Sequence, residues 1–501
     1  MASLRERWGS RTLFIFAAVG SAVGLGNVWR FPYLTYEYGG GAFLIPWVIS
    51  IVVVGIPWLM MEFGIGRYFQ RSAPGVFEAI GKKWEWLGWW PAFMAFLIVC
   101  YYAVILAWSL RYTISSITMA WGTGQAGVEN TGNFFYNDIL QLSSGPGILG
   151  SPVWLTVLML AIVWVAIFFI IYRGAKITGK IAVWTVIIPW ALLVILAVRG
   201  LTLPGAAEGL NFYLSPDFSE LGNAEVWFAA VSQVAFSLSV GMAGMFAYGS
   251  WIAKKADVSN NTVITAFSDS ATAFFAGFAV FSTLGFLAQS LSVPISEVAN
   301  SGLGLAFVTF PAAISMMPAA NALLGVVFFF ALFFLGIDSA FFLAHGGVVA
   351  PLMDKFGWGR FKTTLGVCLV CFVAGLLFCT QGGLYWLDII DRATSFYGLL
   401  ITGLLATIIV GWVFGADKLR QHLNETSDIK VGAWWNWLIK LVVPAGILLL
   451  LITGGFMEDL KTPYGGYPAW AANMIWVTLG VTLVISFILG RLKTKGPKEE
   501  G

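Results

Sequence analysis

Gly20-Ser21-Ala22-Val23-Gly24-Leu25-Gly26-Asn27-Val28-Trp29-Arg30-Phe31-Pro32 interrupts the first long apolar segment of the chain. Glycine loosens a helix, and an Asn or Arg at bilayer depth needs an internal partner, so a plain membrane helix gains nothing from these residues. The stretch predicts a helix broken in mid-membrane. Such a break exposes carbonyl oxygens that hold a small cation and N–H groups that hold an anion. A second interruption, Ser237-Leu238-Ser239-Val240-Gly241-Met242-Ala243-Gly244, follows the apolar run 226–236. Paired breaks in the first and sixth spans predict two five-helix halves of inverted topology with a binding site between them.

Composition agrees with a bilayer setting. Of 501 residues, 59% are hydrophobic and 11% charged, against roughly 45–50% and 25% in soluble domains. The expected class is an all-α integral membrane protein. At about twenty apolar residues per crossing, about twelve transmembrane helices are expected near 11–37, 41–70, 88–121, 152–172, 177–200, 224–254, 259–288, 321–356, 361–380, 385–414, 434–456 and 469–490. The halves are expected at 1–200 and 201–414, two accessory helices at 415–490 and a disordered tail at 491–501. Basic residues cluster in alternate loops (Arg67 to Lys83, Arg173 to Lys180, Lys254 and Lys255, Lys355 to Lys362, Lys418 to Lys430, Arg491 to Lys498), while 122–151, 201–223 and 289–320 hold no Lys or Arg. The positive-inside rule then places both termini in the cytoplasm, as expected for a multi-pass protein of the plasma (inner) membrane. No small-residue cleavage site follows Arg5, Arg7 and Arg11, so helix 1 is expected to stay. The net charge of +3 is small and dispersed, which gives no support to a nucleic-acid partner. Cys100, Cys368, Cys371 and Cys379 lie in apolar runs and read as buried and inert. Loop 289–320, broken by Pro294, Pro311 and Pro318, is a candidate helical lid.

An acid inside the bilayer costs roughly 2.5–3.5 kcal/mol and asks for a reason. Asp269 and Asp338 are the two most deeply embedded in apolar sequence. Hard oxygen ligands from Asp, Ser and carbonyls suit Na⁺; the alternative is an acid that hydrogen-bonds a neighbouring helix or carries a proton. Arg30 and Asp391 form either an outer gate or a static bridge, and Arg5 with Trp8 and Asp354 are the corresponding inner candidates. Glu62 reads as a strut between helices, since no nucleophile or oxyanion arrangement accompanies it. His345 is an interhelical histidine or a proton-coupling one. Between Gly179 and Pro189 the fifth span either unwinds or simply kinks.

Ala22-Val23-Gly24-Leu25-Gly26-Asn27-x-x-Arg30-Phe31-Pro32, Gly39-Gly40-Gly41-Ala42-Phe43-x-x-Pro46, Gly55-Ile56-Pro57, Tyr101-Tyr102, Gly209-Leu210-Asn211-Phe212 and Gly415-Ala416-Asp417 resemble the neurotransmitter:sodium symporter family from about Arg5 to Asp417. The resemblance implies a 5+5 inverted repeat with unwound helices 1 and 6, and two Na⁺ sites. One site would use Ala22, Asn27, Ser237 and Asp269 together with the substrate carboxylate; the other would use Gly20, Val23, Leu335, Asp338 and Ser339. The substrate carboxylate would meet the N–H groups of Leu25 and Gly26 and the hydroxyl of Tyr102. Its side chain would lie among Ile98, Phe236, Ser239, Met242, Ser339 and Leu343, with Ser21 and Gly24 bordering the site and Phe236 and Tyr102 closing it beneath Arg30 and Asp391.

Four positions depart from the family's pattern. Asp269 stands where many members carry Asn, and Ala273 replaces the usual chloride-site Ser; a fixed carboxylate beside Na⁺ then replaces the anion, so no chloride is expected. Gly24 is not the Asp of monoamine carriers, which favours an α-amino acid that brings its own carboxylate. Ser21 replaces a side-chain amide found in leucine-carrying members. Asp354 falls one residue late, with Met353 at the family's spacing. The expected activity is sodium-coupled symport of a neutral, hydrophobic L-amino acid by alternating access, in a monomer or homodimer bathed in membrane lipid, and not an enzyme. A proton-coupled carrier of the same fold and a non-transporting amino acid sensor are the alternatives.

Overall fold

The computed structural model describes residues 6–298 and 302–496; Arg5 and the last five residues of the expected disordered tail lie outside them. The described chain is helical throughout, without a strand. The first span is two helices, α1 (Arg11–Ala22) and α2 (Leu25–Glu37), bent by 56° across Val23 and Gly24. Then come α3 (Gly41–Phe69), α4 (Lys82–Ile117), α5 (Trp154–Ile171) and α6 (Ala175–Leu201). A second interrupted pair, α7 (Ala224–Ser237) and α8 (Gly244–Ser250), precedes α9 (Val258–Leu291), α10 (Asn321–Phe356), α11 (Arg360–Cys379), α12 (Gly383–Asn424), α13 (Trp434–Gly466) and α14 (Ala469–Arg491). Among the described residues ten helices are long and apolar enough to cross a membrane, and α1 with α2 makes an eleventh. The α7 and α8 pair, 14 and 7 residues long, lies where the sixth span was expected and is not among these eleven.

Local chemistry fixes the boundaries. Ser10 caps α1 by accepting a hydrogen bond from the Leu13 N–H, and Asp257 caps α9 by accepting from the Asn260 N–H. Gly357, at φ 64°, closes α10 in the left-handed conformation. Pro189 is carried inside an unbroken α6, so the fifth span is not unwound here. The turn Leu343–Val349 within α10 is π-helical. A π turn holds one residue more than an α turn.

The broken helices sit at the centre. α1 packs on α6, α9 and α10, α2 on α9, α7 on the first half of α3 and α8 on its second half. Residues Phe14, Ala17 to Ala22 and Val234 to Ala243 are buried apart from Phe236, while α5, α11 and α14 turn apolar side chains such as Phe169, Val373 and Val484 outward, as lipid-facing helices do. On the loop side, Leu305–Met316 forms a helix of the 289–320 segment that packs on Gly124–Asn133, with the Tyr112 hydroxyl donating to the Phe307 carbonyl.

Candidate functional site

At the first break Gly24 has φ −135° and ψ −168°, so its N–H leaves the helix and is taken up by Asn27 Oδ1 at 2.9 Å. The Leu25 N–H, first in α2, donates to the Tyr102 hydroxyl at 3.2 Å. Gly24 is required sterically: a Cβ there would stand 2.7 Å from Ser339 Oγ and 3.1 Å from the Tyr102 oxygen. At Gly26 it would meet only the Phe236 ring, at 3.2 Å. At the second break, Ser239, Gly241 and Ala243 all have positive φ (52°, 78° and 60°), two of them in residues for which that conformation is strained. The segment is held from outside: Glu62 Oε1 accepts from the Gly241 N–H and from Trp58 Nε1, both at 2.8 Å. Glu62 is thus a strut, tying α3 to the break. Ser239 Oγ donates to the Ser21 carbonyl at 2.7 Å and Ser339 Oγ donates to the same oxygen at 3.3 Å, joining both breaks and α10.

The two acids lie beside these breaks. Asp269, 3% exposed, accepts from Asn27 Nδ2 at 2.7 Å and from Ser237 Oγ at 2.8 Å. Asp338, 1% exposed, accepts from Thr185 Oγ1 at 2.5 Å and presses its carboxylate against Gly20, where even a methyl group would collide with it. Among the described residues neither acid forms an ion pair with Lys, Arg or His. A buried carboxylate without a protein cation is costly; Asp269 touches both breaks through Asn27 and Ser237, and Asp338 lies against Gly20 of α1.

Between the breaks a small cavity of about 20 Å³ is bordered by Ala22, Gly24, Gly26, Asn27, Ile98, Tyr102, Phe236, Ser237, Ser239, Met242, Ser339 and Leu343. Room for about one water molecule remains. Of the residues singled out for the substrate, Ser21 and Leu25 meet the site through backbone atoms and do not border the cavity. The Arg30 guanidinium lies 4.7 Å over the Phe236 ring and donates to Ser232 Oγ at 3.2 Å. Arg30 also borders a wider cavity of about 410 Å³ with Phe228, Arg392 and Asp459, so Phe236 and Arg30 are the layer between the two spaces. Asp391 accepts from the Tyr101 hydroxyl at 2.5 Å and makes no direct ion pair with Arg30.

The opposite end is shut by a strap. The Trp8 indole packs on Tyr248 and Trp251, its Nε1 donates to the Tyr248 carbonyl at 3.1 Å and its N–H to the Trp251 carbonyl. Asp354 accepts from the Ser72 N–H and hydroxyl at 2.8 and 2.7 Å. Glu6, absent from the sequence-based list, joins three more elements: Arg360 donates to Oε1 at 2.8 Å, the Ala175 N–H donates to Oε2 at 2.9 Å, and His345 Nε2 lies 3.4 Å from Oε2. Burial by itself raises the Glu6 carboxyl, but His345, Arg360 and the Ala175 N–H outweigh it and hold it down to about 2. Its only sequence signal was an acid amid basic residues ahead of an apolar run.

The sodium:neurotransmitter symporter family model matches residues 5–130 and 123–494. An uncharacterized sodium-dependent transporter of Methanocaldococcus jannaschii is 41% identical over 98% of both chains. The human sodium- and chloride-dependent creatine transporter 1 is 35% identical over 94% of this chain and 80% of its own. The bovine sodium- and chloride-dependent taurine transporter is 33% identical over 98% and 86%.

Proposed function

Since the chain belongs to the sodium:neurotransmitter symporter family, and so is a sodium-dependent multi-pass membrane transporter and not an enzyme, we propose that it carries a neutral L-amino acid together with two Na⁺ ions and without chloride. The observation that carries this reading is the pair of buried carboxylates, Asp269 and Asp338, each without a protein cation and each beside a broken helix. Asp269 with Asn27, Ser237 and the Ala22 carbonyl would hold one ion; Asp338 with Ser339 and the carbonyls of Gly20, Val23 and Leu335 would hold the other. Oxygen-only donors of this kind suit a hard monovalent cation.

The substrate's carboxylate would face the start of α2, where the Leu25 N–H now donates to the Tyr102 hydroxyl. Gly24 leaves no side-chain acid to pair with an amine there, which supports a substrate that supplies the missing negative charge. Ile98, Phe236, Met242 and Leu343 give the remaining wall an apolar character that favours a hydrophobic side chain. A carboxylate that completes the first ion site couples the two ligands directly, and by reciprocity each tightens the other. Alternating access would swing the breaks about α3 and α9 within two inverted five-helix halves, with both termini on the cytoplasmic face.

Chloride independence follows from Asp269 standing next to Asn27 and Ser237 while position 273 is Ala. Asp269→Asn removes the fixed charge while keeping the hydrogen-bonding shape. In proteoliposomes the wild type is expected to take up substrate equally in chloride and gluconate media, whereas Asp269→Asn is expected to lose at least tenfold in gluconate and to recover in chloride. Chloride-free uptake that the substitution leaves unchanged overturns the charge argument. Uptake driven by a pH gradient in Na⁺-free medium would instead mark a proton-coupled carrier.

A further inference from the structure

On the protein's flank, separate from the cavity between the two breaks, α4, α10 and α11 enclose a groove of about 760 Å³. Its size is that of sites that hold an entire small organic ligand, roughly 300–1,000 Å³. Phe93 and Phe96 line it from α4, Leu352 from α10, and Lys362, Gly366 and Val370 from α11. The three α11 residues recur every fourth position, so they form one stripe about 12 Å long at 1.5 Å per residue. The groove opens on the outer surface, where Trp358 and Val370 are 52% and 57% exposed. At its mouth Lys362 makes no ion pair among the described residues, although nearby Lys355 and Arg360 are bound to Glu85 and Glu6.

The chemistry is therefore an apolar slot at membrane depth, ended by a single uncommitted ammonium beside an interfacial tryptophan, at the basic end of the protein. We propose that the groove is a binding site for an anionic phospholipid, one acyl chain lying along Phe93, Phe96 and Gly366 and the headgroup phosphate meeting Lys362. Basic sites between membrane helices on the cytoplasmic side recognise anionic headgroups in this way. A second copy of the chain is the poorer occupant. In a two-fold pair the same patch faces itself, and this patch has a lysine and no acid among its lining residues. Leu352 is two residues from Asp354 on the helix that also carries Asp338, so a seated chain braces the half of α10 that closes the inner end. The proposal takes from the functional reading only the membrane orientation, and it stands whether or not the substrate is an amino acid.

The full-length protein in vesicles carries trace phospholipid with a photoactivatable acyl chain, either phosphatidylglycerol or phosphatidylcholine, and adducts are mapped by peptide mass spectrometry. Labelling is expected on the α4 and α11 peptides that hold Phe96 and Gly366, with the anionic probe favoured about fivefold, as one lysine near the surface supplies. Lys362→Gln should equalise the probes. Gly366→Phe should remove both, and a Cβ at Gly366 meets nothing within 4 Å, so that side chain enters the groove without displacing neighbours. Equal labelling of the wild type by the two probes overturns the proposal, as does labelling that Gly366→Phe leaves intact. Loss of labelling to soluble glycerophosphate, or cross-links between two copies at this face, assigns the groove to another occupant and equally overturns it. Sodium-dependent substrate binding by both variants shows that they are folded.

Discussion

The two ends of the transport path are closed by different means. At the outer end, a guanidinium rests on an aromatic ring and its acid partner is occupied elsewhere: Arg30 lies over Phe236 while Asp391 holds Tyr101 and Ser395. At the inner end, carboxylates are fully engaged, Glu6 by three elements and Asp354 by two donors of Ser72, with Trp8 wedged beside them. A stacked cation contributes roughly 0.5–2 kcal/mol and slides, whereas a buried carboxylate stripped of its donors costs more and does not slide. The structure is thus latched inside and only capped outside. The difference places the larger barrier to ion leakage at the end that carries Glu6, Trp8 and Asp354.

Removing the inner latch tests this most severely. Glu6→Gln keeps the shape but drops the charge that Arg360 and the Ala175 N–H meet. A carboxyl held at about 2 against an ordinary 4.5 corresponds to about 3 kcal/mol in favour of the closed strap. Because the folded value lies below the unfolded one, that contribution is complete above the ordinary carboxylate range and fades as pH falls from 4.5 toward 2. Amide hydrogen exchange over Arg7–Ser10 and Tyr248–Ile252 is expected to accelerate by up to about 300-fold in Glu6→Gln at pH 7, by the same arithmetic. Unchanged protection would mean that Trp8 alone closes the inner end.

How much of this comparison could be read from the chain follows from what each residue's neighbours in sequence disclose. The breaks were legible because glycines and an Asn are anomalous inside apolar runs, and Asp269 and Asp338 because an acid in such a run has no local excuse. Glu6 was not legible. An acid before a helix, and an Arg such as Arg360 after one, both read as ordinary surface charge, and their meeting spans 354 positions. Nor does composition reveal the π turn at Leu343–Val349, since a wider turn uses the same apolar residues. Gly24 and Gly26 show a further limit: nothing in the motif separates them, yet only at Gly24 would a Cβ strike two polar site groups.

The outer cap offers a middle-sized test. If Arg30 and Asp391 meet during the cycle, Arg30→Gln and Asp391→Asn should each slow sodium-driven uptake, and the double variant should fall short of the summed loss by about 0.5–3 kcal/mol. Additive losses would show instead that Arg30 works only through Phe236 and Ser232, and Asp391 only by orienting Tyr101.

The smallest effect is expected where the latch is doubled. Asp354 Oδ2 receives both the N–H and the hydroxyl of Ser72. Ser72→Ala deletes the hydroxyl and leaves the N–H, so Asp354 Oδ2 loses one Ser72 donor and keeps the other. A neutral donor's net contribution is about 1 kcal/mol, and exchange in the α10 segment from Leu352 to Phe356 should rise about fivefold, far less than the strap does in Glu6→Gln. Should Ser72→Ala match Glu6→Gln, the inner end would depend on α3 and α10 meeting at Ser72, and the strap would be an accessory. A response confined to α10, with the strap unmoved, would show that the two fastenings open independently, which a single rigid latch does not allow.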